Sequence, residues 1–245
     1  IKKGTPVVIG EANQETRPVF EAKALAEQAP IVFAEDEHLL KSDTHTPDGG
    51  FMYENEDYPQ LKGELGGMCQ EKNTNTLLSA LRILKKAGYN ISDNNVREGF
   101  AHVCELTGLQ GRWQKLQSEP TVICDTGHNI GGIQYIVKQL AQQNYKRLHI
   151  VMGMVNDKDI SGVLRLLPTD AIYYFTQASV KRALPAEKVQ ELAATDRLKG
   201  QCYPSVGIAV RAALENAEKD DLIFVGGSSF IVADLLSEKE NGSFS

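Results

Sequence analysis

Two kinds of apolar spacing alternate along the second half of the chain. Short continuous runs, V-I-C at 122–124, H-I-V-M-G at 149–153, I-Y-Y-F at 172–175 and L-I-F-V-G at 222–226, have the character of strands buried on both faces. Between them apolar residues recur at helical spacing, as at Ile130, Ile133, Val137 and Leu140. The pattern predicts strands near 121–125, 148–153, 171–176, 201–203 and 222–226, and helices near 129–142, 157–167, 185–194, 206–218 and 228–237. Such alternation predicts an α/β fold with a mostly parallel sheet covered on both faces. Right-handed crossovers then gather every strand-to-helix loop on one edge of the sheet. Asp125, His128, Asp157, Asp159, Thr176 and Ser228 all fall in those loops.

The first half is patterned differently. Val7–Ile9 is a short β-rich run, Pro18–Ala29 reads as a helix stopped by Pro30, and Ile31–Ala34 is a second short strand. A parallel pair with one crossover helix buries too little to stand alone, so it reads as the trailing edge of a larger sheet. Residues 35–62 are polar and broken by Pro47, Gly49, Gly50 and Pro59, which predicts turns and an exposed hairpin. A helix follows over Asn73–Lys86 with Leu77, Leu78, Leu81 and Leu84 as its apolar face, and another over Asn94–Glu105. Gly108 and Gly111 mark a joint, which divides the chain into 1–110 and 111–245.

Composition narrows the function classes. The 245 residues suffice for one large domain or two ordinary ones. A net charge of -6 gives no electrostatic support for a nucleic-acid partner. No run approaches the length of a membrane span, and the first ten residues do not read as a signal peptide. Cys69, Cys104, Cys124 and Cys202 are scattered with no C-x-x-C, which argues against structural zinc or a disulfide framework. A cytoplasmic location is expected.

The strand-end segment Asp125-Thr-Gly-His128-Asn129 carries the strongest chemical signal. A helix N-terminus there offers unpaired N–H groups to a phosphate or carboxylate. His128 could donate to a phosphate oxygen, and Asp125 could accept from ribose hydroxyls or hold a hydrated cation. The plainer reading is a capping Asn129 with a structural Asp–His contact. In Asn156-Asp157-Lys158-Asp159 the residues either cap a helix, hold a nucleotide or close a domain interface through ion pairs. Arg112, beside the joint, has a donor fork suited to phosphate, and Trp113 could pack over the joint. Gly226-Gly-Ser228-Ser229 is a turn with a serine cap or an exposed cradle, and Lys181-Arg182 is a short basic patch. G-x-x-x-x-G-K-[ST], G-x-G-x-x-G and a nucleophile elbow are all absent.

Together these motifs resemble the C-terminal part of the folylpolyglutamate synthase/dihydrofolate synthase family, within the Mur ligase superfamily. Leu65-Gly-Gly-Met-Cys-Gln70-Glu-Lys-Asn73 looks like the family's G-x-H-Q-x-x-N segment, with Cys69 where histidine is usual. Leu109-Gln-Gly-Arg112 looks like its P-G-R linker motif, Asp125-Thr-Gly-His128-Asn129 like its D-G-A-H-N, and Asp157-Lys-Asp159 like its D-K-D. Phe175-Thr176, Arg182-Ala-Leu-Pro185 and Gly227-Ser-Ser-Phe230 fit in order.

The resemblance implies a ligase that joins L-glutamate to the carboxylate of dihydropteroate or a folate, using ATP and Mg2+ through an acyl phosphate. It implies that 1–110 is the end of a P-loop ATPase domain and 111–245 a Rossmann-like domain, with ATP between the two. By position, Asn73, Arg112, Asp125 and His128 would contact ATP. Asp157, Lys158, Asp159, Arg182 and Ser228 would serve substrate or interface. No catalytic nucleophile and no metal ligand are assigned; the P-loop and metal-binding residues would lie before Ile1, leaving an inactive fragment of a monomeric enzyme. The alternatives are a non-catalytic α/β binding module or a related ligase acting on a cell-wall precursor.

Overall fold

The computed structural model describes residues 1–156 and 159–242, and the chain folds as two compact units, Ile1–Gly108 and Leu109–Ser245.

In the first unit β1 (Val7–Ile9) and β2 (Ile31–Phe33) pair in parallel through helix α1 (Thr16–Ala26). A single-turn helix α2 (Ala34–Glu37) leads into an antiparallel sheet of β3 (Leu40–His45), β4 (Phe51–Asn55) and β5 (Leu61–Gly63). The polar segment predicted to be turns and an exposed hairpin therefore carries three strands. Its buried residues sit on alternate positions of β4, where Phe51, Tyr53 and Asn55 point inward between half-buried neighbours. Phe51, Tyr53, Tyr58 and Leu61 close a small core with Leu78 of α3 (Gln70–Lys86) and Val96 of α4 (Asp93–Ala101). Of the four leucines predicted as the apolar face of α3, Leu78 is buried, whereas Leu77 is 50% exposed. The predicted helix over 94–105 is two helices, α4 and α5 (Val103–Thr107), broken at His102, whose φ of -132° leaves the helical region. Ser92 and Asn95 form a reciprocal capping box at the start of α4: each side chain accepts the other's backbone N–H.

The second unit holds a six-stranded sheet in the order β10-β9-β8-β11-β7-β6. The strands are β6 (Gln114–Ser118), β7 (Thr121–Cys124), β8 (Leu148–Met152), β9 (Ile172–Phe175), β10 (Gly200–Cys202) and β11 (Leu222–Gly226). Five are parallel, and β6 pairs antiparallel to β7 at one edge. Sequence pattern missed β6 because Q-K-L-Q-S offers only one apolar residue. Helices α6 (Ile130–Leu140), α7 (Ile160–Leu164) and α8 (Ala186–Thr195) pack on one face, against Ile150, Tyr173, Phe175 and Phe224. Helices α9 (Val206–Asn216) and α10 (Ser229–Glu240) cover the other, against Val122, Val151, Ile223 and Val225. Successive residues of each strand thus feed opposite cores, which is why β8 and β11 are buried at every position. Among the described residues no helix is long and apolar enough to cross a membrane.

The amino edge of the sheet is tied by a buried polar chain. Asp221, just before β11, accepts from the backbone N–H of Glu218 and Arg147 and from the Arg147 guanidinium. It also accepts from Nε2 of the fully buried His149 at 3.3 Å. With Nε2 as the donor, Nδ1 is the acceptor for the Tyr174 hydroxyl at 3.0 Å. Three parallel strands are linked this way at the end away from the strand-to-helix loops.

Candidate functional site

The strand order defines where a ligand can sit. The chain leaves β7 for α6 on one face and leaves the neighbouring β11 for α10 on the other. The outgoing segments diverge at the carboxyl ends of these strands, which is the crevice where open α/β sheets bind ligands. The loop after β8 adjoins it, since Gly153 N–H reaches the Gly226 carbonyl and Gly227 leaves only backbone-sized space beside Gly153.

The β7–α6 turn is built around Asp125. One carboxylate oxygen accepts from Gly127 N–H and the other from Trp113 N–H, each at 2.7 Å. Burial pushes the carboxyl above its ordinary value, and these two amides and the charge of Arg112 pull partly against it. Asp125 therefore fastens the 111–113 segment to the strand end. It is half-buried, and each of its oxygens keeps a second lone pair beside the amide it already holds. Gly127 is needed for space: a Cβ there would lie 2.6 Å from the Ile136 side chain and 3.1 Å from the Asp125 carboxylate.

Arg112 and His128 meet on Thr126. The Arg112 guanidinium donates from Nη1 to the Thr126 hydroxyl, and His128 Nδ1 lies 3.0 Å from the Thr126 carbonyl. A carbonyl only accepts, so Nδ1 carries a proton and Nε2 of the neutral ring is an acceptor. The expected donation from His128 to a phosphate thus requires the imidazolium; the neutral ring suits a hydroxyl or an amino group. Arg112 is exposed, and among the described residues its Nε and Nη2 meet no protein acceptor. Asn129 is the N-cap of α6, its side chain accepting from Gly132 N–H at 2.8 Å, as the plainer reading had it. Trp113 packs inward beside Phe224, its own backbone held at a positive φ of 49°.

The other expected residues are distributed around this crevice or away from it. Ser228 is buried and caps α10 by accepting from Phe230 N–H. Arg182 lies over the Phe230 ring at 4.6 Å, and its carbonyl accepts from Asn156 N–H, which ties the loop after β9 to the loop after β8. Asp159 caps α7 by accepting from Gly162 N–H. Asp157 and Lys158 lie outside the described residues. Asn73 belongs to the first unit, exposed in the first turn of α3, where it donates to Gln70. The role of the Thr126 hydroxyl escaped sequence reasoning, because a threonine inside a loop motif carries no pattern of its own. Thr176, expected in these loops, directly follows β9 and is fully buried, with no hydrogen-bond partner for its Oγ1 among the described residues.

The donor set suits a polyphosphate. A guanidinium edge, an imidazole and the first turn of an eleven-residue helix converge around one residue, and the Asp125 carboxylate beside them accepts from two backbone amides. Among the described residues no three His, Cys, Asp or Glu side chains group to hold a metal ion.

Known proteins resemble the chain in sequence and in fold. Residues 111–229 match the Mur ligase, glutamate ligase domain. The dihydrofolate synthase/folylpolyglutamate synthase of Escherichia coli K12 is 32% identical over 171 residues, covering 69% of this chain and 38% of that protein. The folylpolyglutamate synthase of Lacticaseibacillus casei is 25% identical over 239 residues, covering 95% of this chain and 54% of that protein. The structure of E. coli FolC in complex with DHPP and ADP superposes with a TM-score of 0.77 at 26% identity, over 98% of this chain and 54% of that one. The chain spans about half the length of the relatives it matches, or less.

Proposed function

Because the chain belongs to the Mur ligase superfamily, as a homologue of the C-terminal part of folylpolyglutamate synthase/dihydrofolate synthase, we propose that it is part of an ATP-dependent ligase adding L-glutamate to the carboxylate of dihydropteroate or a folate. The observation that carries this reading is the convergence of Arg112 and His128 on Thr126 at the crevice beside β7. In this reading Arg112 binds nucleotide phosphate through its Nε–Nη2 edge. His128 approaches the nucleotide from Nε2, as an acceptor when neutral and a donor when protonated. Asp125 is a positioning residue, holding the turn that carries Arg112.

ATP supplies the phosphoryl group that activates the acceptor carboxylate, and Mg2+ offsets its charge. Residues outside this chain supply the phosphate loop and the metal ligands, and residues 1–108 complete an ATPase domain with Asn73 on its nucleotide side. Arg182 and Ser228 border the glutamate side of the crevice, with Asp159 on the neighbouring loop. The chemistry needs aligned reactants and stabilised charge and no protein nucleophile, which agrees with the absence of a nucleophile constellation in the sequence. The intact enzyme is a cytoplasmic monomer in this reading.

The test is ligation of radiolabelled L-glutamate by the intact protein with ATP, Mg2+ and either dihydropteroate or tetrahydrofolate. Glutamylated product is expected with at least one acceptor, and none from residues 1–245 alone. Absence of product from the intact protein with both acceptors, or turnover by the 245-residue chain, would overturn the reading.

A further inference from the structure

The contacts of Thr126 differ from those of every other residue in the β7–α6 turn. Its side chain accepts from Arg112, its carbonyl accepts from His128, and its amide donates to the Gly111 carbonyl at 2.9 Å. We infer that Thr126 is a positioning residue: its hydroxyl aims the Arg112 guanidinium before a phosphate ligand arrives. This rests on the nucleotide reading above.

The geometry of the guanidinium supports it. Five N–H donors lie in one plane, and the Nε–Nη2 edge is the side that grips an oxyanion with two parallel bonds. Engaging Nη1 leaves that edge whole. A long exposed side chain otherwise loses rotamer freedom when it binds, and a preformed contact removes part of that loss from the binding step.

The backbone around Arg112 is secured without the hydroxyl. Trp113 N–H is held by Asp125, Gly111 N–H by the Gln114 side chain at 2.8 Å, and Gly111 carbonyl by Thr126 N–H. Thr126→Val keeps these three tethers and keeps the methyl group that sits beside Gly111. It removes only the acceptor. The folded turn is therefore expected to survive the substitution, and what is lost is the aim of one side chain.

The experiment is a double-mutant cycle on the intact protein, read by calorimetric titration with a non-hydrolysable β,γ-methylene ATP analogue. Thr126→Val is expected to weaken binding about fivefold to tenfold, the scale of one ordinary net hydrogen bond. Thr126→Ser, which keeps the hydroxyl, is expected to stay within about twofold of the parent. Thr126→Val is expected to have no further effect in an Arg112→Ala background, because the hydroxyl then has nothing to aim. Additive losses, or parent-like affinity in Thr126→Val while Arg112→Ala binds weakly, would overturn the inference and leave the nucleotide reading intact. No binding by the parent, or no loss on Arg112→Ala, would overturn both.

Discussion

At the scale of single residues, the decisive side chains are those whose two ends are already committed. Asp125 satisfies two backbone amides with its two oxygens, so Asp125→Ala leaves Trp113 N–H and Gly127 N–H without an acceptor. A buried donor left unpaired costs about 1–3 kcal/mol. The variant is expected to lose about that much in chemical denaturation and, in the intact protein, to weaken nucleotide binding through Arg112. Unchanged stability would mean the two amides find water. Gly227 is constrained by its backbone instead. Its φ is +91°, and a Cβ would stand 2.7 Å from the Gly153 carbonyl. Gly227→Ala is expected to destabilise by at least about 1 kcal/mol, measurable as a lower Tm, since both conformation and space oppose it. The motif D-T-G-H-N marked this turn in the sequence, but not that Asp125 holds two backbone amides within it. An acid at a strand end looks the same in sequence whether it turns toward solvent or toward backbone amides.

At the scale of elements, sheet order separates stability from ligand chemistry. The loops at the carboxyl edge carry the donors, while Tyr174, His149 and Asp221 join β9, β8 and β11 at the amino edge. Burial by itself raises the Asp221 carboxyl, but the Glu218 amide, Arg147 and His149 outweigh it and hold it at about 2. Burial lowers His149 below its ordinary value despite Asp221. Both shifts have the same sign for stability. A depressed folded value means the unfolded chain takes up protons first, so the contribution is whole above the unfolded value and lost on acidification. For Asp221 the window runs from about 4, the ordinary carboxylate range, down to about 2. Unfolding free energy is expected to fall by roughly 2 kcal/mol across it, with a shallower fall in Asp221→Asn. Equal slopes in parent and variant, from denaturant titrations at pH 5 and pH 2.5, would contradict this.

The main elements were legible because β8, β9 and β11 are continuous apolar runs and their helices show 3.6-residue spacing. Strand β6 was not, since an edge strand needs no apolar face on its open side. Nor was the sheet of β3, β4 and β5, whose polar outer positions hid the buried alternation of Phe51, Tyr53 and Asn55. Of the stripe assigned to α6, Ile133 and Leu140 are buried and Val137 packs against the same core; Ile136 is buried as well, and Ile130, at the helix start, is 40% exposed.

At the scale of the whole molecule, a chain of net charge -6 places cationic and amide donors where an anionic ligand would bind. That local arrangement matters more than the overall charge, because exposed charges farther apart than a Debye length are largely screened. The chain spans about half the length of its relatives or less, so its unit with the glutamate ligase domain supplies only part of the proposed reaction. The central claim is therefore about binding geometry, and it is tested most directly by a crystal structure of the intact protein with a non-hydrolysable ATP analogue and Mg2+. The account predicts phosphate oxygens within hydrogen-bond reach of Arg112 Nε and Nη2, His128 Nε2 against the nucleotide, and Asp125 still holding Trp113 and Gly127. A bound nucleotide that leaves Arg112 and His128 untouched would contradict it.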